Sequence, residues 1–201
     1  MSTQDHEDQL FSTVSFDEID LPEPLRRAVG ELGFTYLTRV QEEVLPLTLA
    51  GRDVVAQAQT GSGKTAAYLL TIFNRILRSP RSSPPEVPRA LIVAPTRELA
   101  VQISNDADAL APHVDINTHV VFGGIDYHKQ RQELAAGTDV LIGTPGRLID
   151  YHKQRTYSLR ETELVVIDEC DRLFDMGFAE DLHWIMRRLP HPGRRQSMMF
   201  T

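Results

Sequence analysis

Cysteine is nearly absent. Cys170 stands alone among 201 residues, so no internal disulfide can form. No paired Cys/His spacing suggests zinc, and the seven histidines are scattered. No apolar run approaches the ~20 residues that a membrane span requires. Met1 to Asp8 lacks the basic start and apolar stretch of a leader. A cytoplasmic protein with no membrane contact is the expectation. Positive charge is also in short supply, with 21 Lys and Arg against 28 Asp and Glu, a net charge of −7. That balance argues against holding nucleic acid by bulk electrostatics and leaves room only for a local groove lined by a few arginines and backbone N–H groups. No internal repeat and no heptad pattern is visible.

What is present is a regular alternation. Residues 1–15 read as a flexible lead-in, and 16–201 as one large domain. Leu21 to Gly33 predicts a short helix, and Thr38 caps a second one running to Leu49. Asp53 to Gln57 is a short apolar strand, followed by a glycine-rich turn and an apolar helix from Lys64 to Leu77. Ser79 to Pro88, dense in Pro, Ser and Arg, reads as an exposed loop. Strands are expected at Ala90–Ala94, Ile116–Val121, Asp139–Ile142, Leu164–Ile167 and Gln196–Phe200. Helices are expected at Glu98–Leu110, Asp126–Ala136, Gly146–Gln154 and beyond Phe178. The strands are continuously apolar, as strands buried on both faces are. The pattern predicts an α/β fold, a parallel sheet wrapped by helices on both faces, with ligands at the carboxyl ends of its strands.

Ala58-Gln59-Thr60-Gly61-Ser62-Gly63-Lys64-Thr65 follows a strand and opens a helix, the context that a phosphate-binding P-loop requires. Glycines let the backbone curl so that its N–H groups converge on phosphate oxygens, and the helix N-terminus adds positive potential. Gln59 to Thr65 form the cradle. Lys64 can reach the β- and γ-phosphates, and the Thr65 hydroxyl can ligate Mg²⁺. Ala58 stands where the generic motif has Gly, and a glycine-rich helix cap is the plainer alternative. Leu164 to Ile167 is an apolar strand ending in Asp168 and Glu169. With a P-loop upstream, Asp168 is placed to hold Mg²⁺, through water or directly, and Glu169 to orient and deprotonate an attacking water. Taken alone, the two acids are equally a solvated turn.

Here the chain resembles the DEAD-box family of RNA helicases over nearly its whole length. The P-loop has the family's Ala-x-x-Gly-x-Gly-Lys-Thr form, which accounts for Ala58. Pro95-Thr96-Arg97-Glu98-Leu99-Ala100 and Thr144-Pro145-Gly146-Arg147 match family motifs, Gly123-Gly124 matches its paired glycines, and Gly33-Phe34 with Gln41 resembles its adenine-reading motif. Residues 47–53 and 143–151 look like the bacterial RhlB-type branch, associated with RNA degradation. The naming tetrapeptide reads Asp168-Glu169-Cys170-Asp171, with Cys where the family usually has Ala; Cys170 is read as a small packing residue. Leu37 and Arg39 replace common prolines.

The resemblance implies a RecA-like ATP-binding domain that works with a second RecA-like domain, ATP and Mg²⁺ as cofactors, and RNA bound along its sugar-phosphate backbone without sequence preference. Gln41 would pair with the adenine edge, and Phe34 would pack on the base or serve as a core aromatic. Pro95, Thr96, Arg97, Glu98, Gly124, Thr144, Pro145, Gly146 and Arg147 would face RNA, although Arg97 and Glu98 can equally pair with neighbouring charges. Asp171 would link nucleotide state to domain closure, and ribonucleoprotein or RNA-decay proteins would be partners. A nucleotide-gated RNA clamp, a DNA-directed helicase and a small-molecule P-loop kinase remain alternatives.

Overall fold

A computed structural model describes residues 10–123, 130–132, 134 and 136–201. Eight strands and seven helices are used below, in chain order: β1 (Phe11–Ser15), α1 (Glu23–Glu31), β2 (Tyr36–Thr38), α2 (Arg39–Leu49), β3 (Val54–Ala56), α3 (Lys64–Arg78), β4 (Ala90–Val93), α4 (Arg97–Leu110), β5 (Thr118–Val121), β6 (Val140–Gly143), α5 (Pro145–Lys153), β7 (Leu164–Ile167), α6 (Cys170–Asp175), α7 (Ala179–Met186) and β8 (Gln196–Phe200). Six strands form one parallel sheet in the order β3-β8-β7-β4-β6-β5.

The period-2 geometry of strands divides the core in two. On β4, β6 and β7, Ala90, Ile92, Val140, Ile142, Leu164 and Val166 point to a layer packed by α1 to α4. Leu91, Val93, Leu141, Val165 and Ile167 point to the opposite layer, closed by α5, α6 and α7. Every residue of β4, β6 and β7 is buried, which explains why those strands read as unbroken apolar runs.

Two expectations are corrected. Within the stretch read as a flexible lead-in, Phe11–Ser15 pairs antiparallel with Tyr36–Thr38. Alternating Phe11, Thr13 and Ser15 with Ser12 and Val14 hides a short strand inside polar sequence. The loop at 79–88 is partly interior, since Ser83 and Val87 are buried. Most of the helix expected at Asp126–Ala136 lies outside the described residues.

Arg89 anchors the amino-terminal edge of the sheet. It is the largest fully buried side chain among the described residues. Its guanidinium donates to both Glu163 carboxylate oxygens, at 2.6 and 3.1 Å, and to the Ile76 and Ser79 carbonyls. One side chain thereby ties β4, the approach to β7 and the end of α3.

Candidate active site

The strand order fixes which loops can meet. β3, β8 and β7 are neighbours at one side of the sheet, so the turns leaving β3 and β7 flank the end of β8. The turn after β3 opens α3 at Lys64, with Gly63 as N-cap at φ 88° and Gly61 at φ 82°. These angles strain any residue with a Cβ. At Gly63 space is also closed: a Cβ would sit 2.5 Å from Gln41 Nε2.

That contact shows what Gln41 does. Its Oε1 accepts from the Thr38 N–H at 2.9 Å, completing a capping box on α2, and its Nε2 donates to the Gly63 carbonyl at 3.1 Å. Gln41 is 4% exposed. These two bonds brace the loop and use one Nε2 hydrogen and one Oε1 lone pair, leaving the amide a second donor and a second acceptor. Phe34 lines the cavity beside the loop and stacks on Phe16 with ring centroids 5.7 Å apart.

The turn after β7 carries Asp168 and Glu169 to the same place. A cavity of about 540 Å³ is lined by Gly61, Gly63, Lys64, Thr65, Asp168 and Glu169, with Phe34, Thr96 and Glu98 at its margins. The side chains predicted to share a magnesium–triphosphate thus converge. Asp168 is 2% exposed. Burial pushes its carboxyl above the usual carboxylate range, opposed by donated hydrogen bonds from Tyr68 and the Glu169 N–H, each at 2.9 Å. Glu169 sits at φ 47°, a left-handed angle rare outside glycine, and its Oε2 accepts from Arg172 at 3.1 Å. Lys64 donates back to the Ala58 carbonyl at 2.6 Å and to the Thr201 carbonyl at 3.4 Å. A hydrogen bond with the Thr201 side chain holds the exposed Asp171 below the usual range.

The fit to a bound triphosphate can be tested on the loop itself. Thr60, Gly61, Gly63, Lys64 and Thr65 all line the cavity at the N-terminus of α3, where free backbone N–H groups suit phosphate oxygens. Among the described residues no cluster of three or more metal-ligating side chains exists.

Two side chains escaped sequence reasoning. Tyr68, fully buried, donates to Asp168 at 2.9 Å and so ties the P-loop helix to the acid turn. A polar-tipped aromatic one turn after Thr65 in an apolar helix was the available signal. Arg172, three residues after Glu169, follows the spacing that brings helix neighbours together.

The other half of the crest is built by β4, β6 and β5. Thr96 caps α4 by accepting from the Leu99 N–H at 3.2 Å. Arg97 lies over the Phe122 ring at 4.6 Å. Thr144 is the N-cap of α5, Pro145 its buried first residue, Gly146 is exposed, and Arg147 lies 5.5 Å over Tyr151. Thr96 and Glu98 border the cavity as well, so they stand at the boundary of the two halves. Gly124 lies outside the described residues.

A glycine turn opening a helix, faced across the end of a parallel sheet by the buried Asp168 and the half-buried Glu169, defines a P-loop nucleotide-binding domain of RecA-like type. The model of the DEAD/DEAH box helicase family matches residues 38–201, and the chain belongs to that family. It is 46% identical over 187 residues to an ATP-dependent RNA helicase RhlB of Idiomarina loihiensis, covering 92% of this chain and 44% of that protein. It is 47% identical over 197 residues to one of Xanthomonas oryzae pv. oryzae, covering 96% and 34%. The crystal structure of a DEAD box protein from the hyperthermophile Methanococcus jannaschii superposes with a TM-score of 0.83 at 29% identity, over 93% of this chain and 49% of that one. The chain spans less than half the length of these relatives.

Proposed function

We propose that this chain is the ATP-binding domain of a cytoplasmic ATP-dependent RNA helicase. The observation that carries the reading is the single cavity shared by Gly61, Gly63, Lys64 and Thr65 and by Asp168 and Glu169. ATP is the substrate. Backbone N–H groups of residues 59–65 and the α3 N-terminus hold its phosphates. Lys64 exchanges its two carbonyl partners for the β- and γ-phosphates, an exchange favoured because charge-assisted bonds to phosphate are stronger than bonds to neutral carbonyls. Thr65 and, through water, Asp168 would hold Mg²⁺, which would supply charge neutralisation to the phosphates. Glu169 orients the attacking water and takes its proton, with Arg172 fixing the carboxylate.

Pro95 to Glu98, Gly124 and Thr144 to Arg147 contact the RNA sugar-phosphate backbone, positioning a strand without reading bases. Arg97 and Arg147 supply fork geometry, and the α5 N-terminus supplies free N–H groups. A second RecA-like domain contributes the arginine that neutralises the γ-phosphate, and Asp171 at the rim communicates with it. Closure of the two domains on ATP and RNA bends one strand and locally parts a short duplex, and hydrolysis resets the cleft, with RNA-decay proteins as partners.

The test is nucleotide binding by the 201-residue chain. We expect a fluorescent ADP analogue to bind in the presence of Mg²⁺, Lys64→Ala to weaken that binding by at least about tenfold, and ATP turnover to be slow. Binding unaffected by Lys64→Ala would overturn the site assignment. Brisk RNA-stimulated turnover by this chain alone would overturn the need for a second domain.

A further inference from the structure

At the opposite end of α5 from Thr144 lies a second concavity, of about 490 Å³, unrelated to the nucleotide cavity. It is lined by Lys153, Arg155, Arg160 and Arg188, with Trp184 on its wall. None of the four cations makes an ion pair with a carboxylate among the described residues. Glu86 is the one acid at its margin. In a chain of net charge −7, four uncompensated cations around one hollow are a local inversion of the protein's field.

The hollow is also ordered. The Arg188 guanidinium lies 3.3 Å over the Trp184 ring and donates to the Trp184 carbonyl at 2.8 Å. Lys153 sits 5.8 Å from the same ring. His152 packs edge-on against Trp184 and Tyr157, and burial followed by Arg188 and Arg160 lowers its pKa, which keeps it neutral near pH 7. Arg155 is held at φ 58°, one of two left-handed non-glycine residues among those described.

We infer that this hollow is a second phosphate-contact site for the RNA strand held at the crest. The inference rests on the RNA reading above and adds a location to it. α5 has nine residues, so its C-terminal end lies about 13 Å from Thr144. That distance spans only a few phosphates of a single strand. Asp150, exposed on the intervening turn, separates the two places, so a strand meets them as two contacts rather than one continuous track. Arg188 covers one face of Trp184, which leaves the cations rather than base stacking to do the holding. An acidic protein segment is the competing occupant. It is disfavoured because the hollow offers charge with little open apolar surface, and the strand already bound at the crest brings phosphates within one helix length.

The experiment is fluorescence polarisation on the 201-residue chain and on the double variant Arg155→Gln/Arg160→Gln, with a short oligouridylate and a longer one, across a salt series. Both side chains are exposed, so the variant keeps its fold; unchanged nucleotide affinity verifies this. We expect the slope of log K against log salt for the long RNA to become shallower by about 1.4, two contacts at about 0.7 each on a single strand. The short RNA should be unaffected. Equal slopes for both proteins on the long RNA would overturn the inference. So would a polyglutamate peptide whose binding the variant loses while RNA binding stays unchanged, which would assign the hollow to a protein partner. Failure of the wild-type chain to bind either RNA would overturn the RNA reading itself.

Discussion

Tyr68 is buried to 0% exposure and donates its hydroxyl to Asp168, a hundred positions away, at 2.9 Å. Removing the hydroxyl strips a buried carboxylate of one of its two donors, and bonds to charged groups contribute about 1.5–3 kcal/mol. Tyr68→Phe should leave the fold intact and lower stability by about 1.5 kcal/mol. It should also weaken the Mg²⁺-dependent part of nucleotide binding by a few fold, read from Mg²⁺ titrations of a fluorescent nucleotide. A variant that melts lower yet responds to Mg²⁺ as the wild type does would reduce Tyr68 to a packing residue.

At the scale of elements, the loop before α3 is shaped by two glycines with different neighbours. Nothing lies within 4 Å of a Cβ added at Gly61, whereas at Gly63 that Cβ meets Gln41 and Thr38. Gly61→Ala should therefore carry only the torsional penalty of a left-handed residue, about 1–2 kcal/mol. Gly63→Ala carries that penalty plus displacement of the Gln41 amide, so it should melt lower than Gly61→Ala and lose more nucleotide affinity. Equal melting temperatures for the two variants would show that the Gln41 brace is unimportant.

The same loop shows how far sequence reasoning carried. β7 lies where the apolar run was read, because a strand buried on both faces announces itself by composition. Thr38 capping α2 was visible from residue type and spacing. β1 was not: three polar residues and a half-exposed strand look like a linker, and only pairing with Tyr36–Thr38 gives it form. Gln41 was read through a resemblance as a ligand contact, and its bond to the Gly63 carbonyl was not foreseen. Amide hydrogen bonds depend on what stands across a turn twenty-two residues away, which no local pattern encodes. The hollow below α5 also left no local trace, since its cations come from α5, the following loop and the end of α7.

Across the whole molecule, the end of the sheet that carries the loops and the end that carries Arg89 serve different ends. Arg89 joins β4, the approach to β7 and α3 far from the cavity, through a half-buried partner in Glu163. Arg89→Met should cost about 3 kcal/mol, since breaking a buried pair leaves Glu163 and two carbonyls unsatisfied. For a domain of this size that lowers the melting temperature by roughly 6–12 °C. Nucleotide affinity well below the transition should be unchanged; a parallel loss of affinity would show that the two ends of the sheet are not separable.

β4 is the hinge of this division. Lying between β7 and β6, it delivers the first turn of α4 to the line where the two compartments touch, with Thr96 and Glu98 on one flank and Arg97 on the other. Consecutive residues of one rigid turn cannot shift independently. Whatever free energy a guest on one flank gains by nudging that turn is felt by a guest on the other, and thermodynamic reciprocity makes the exchange equal in both directions. A rudiment of cross-talk between two guests is thus set by strand order alone.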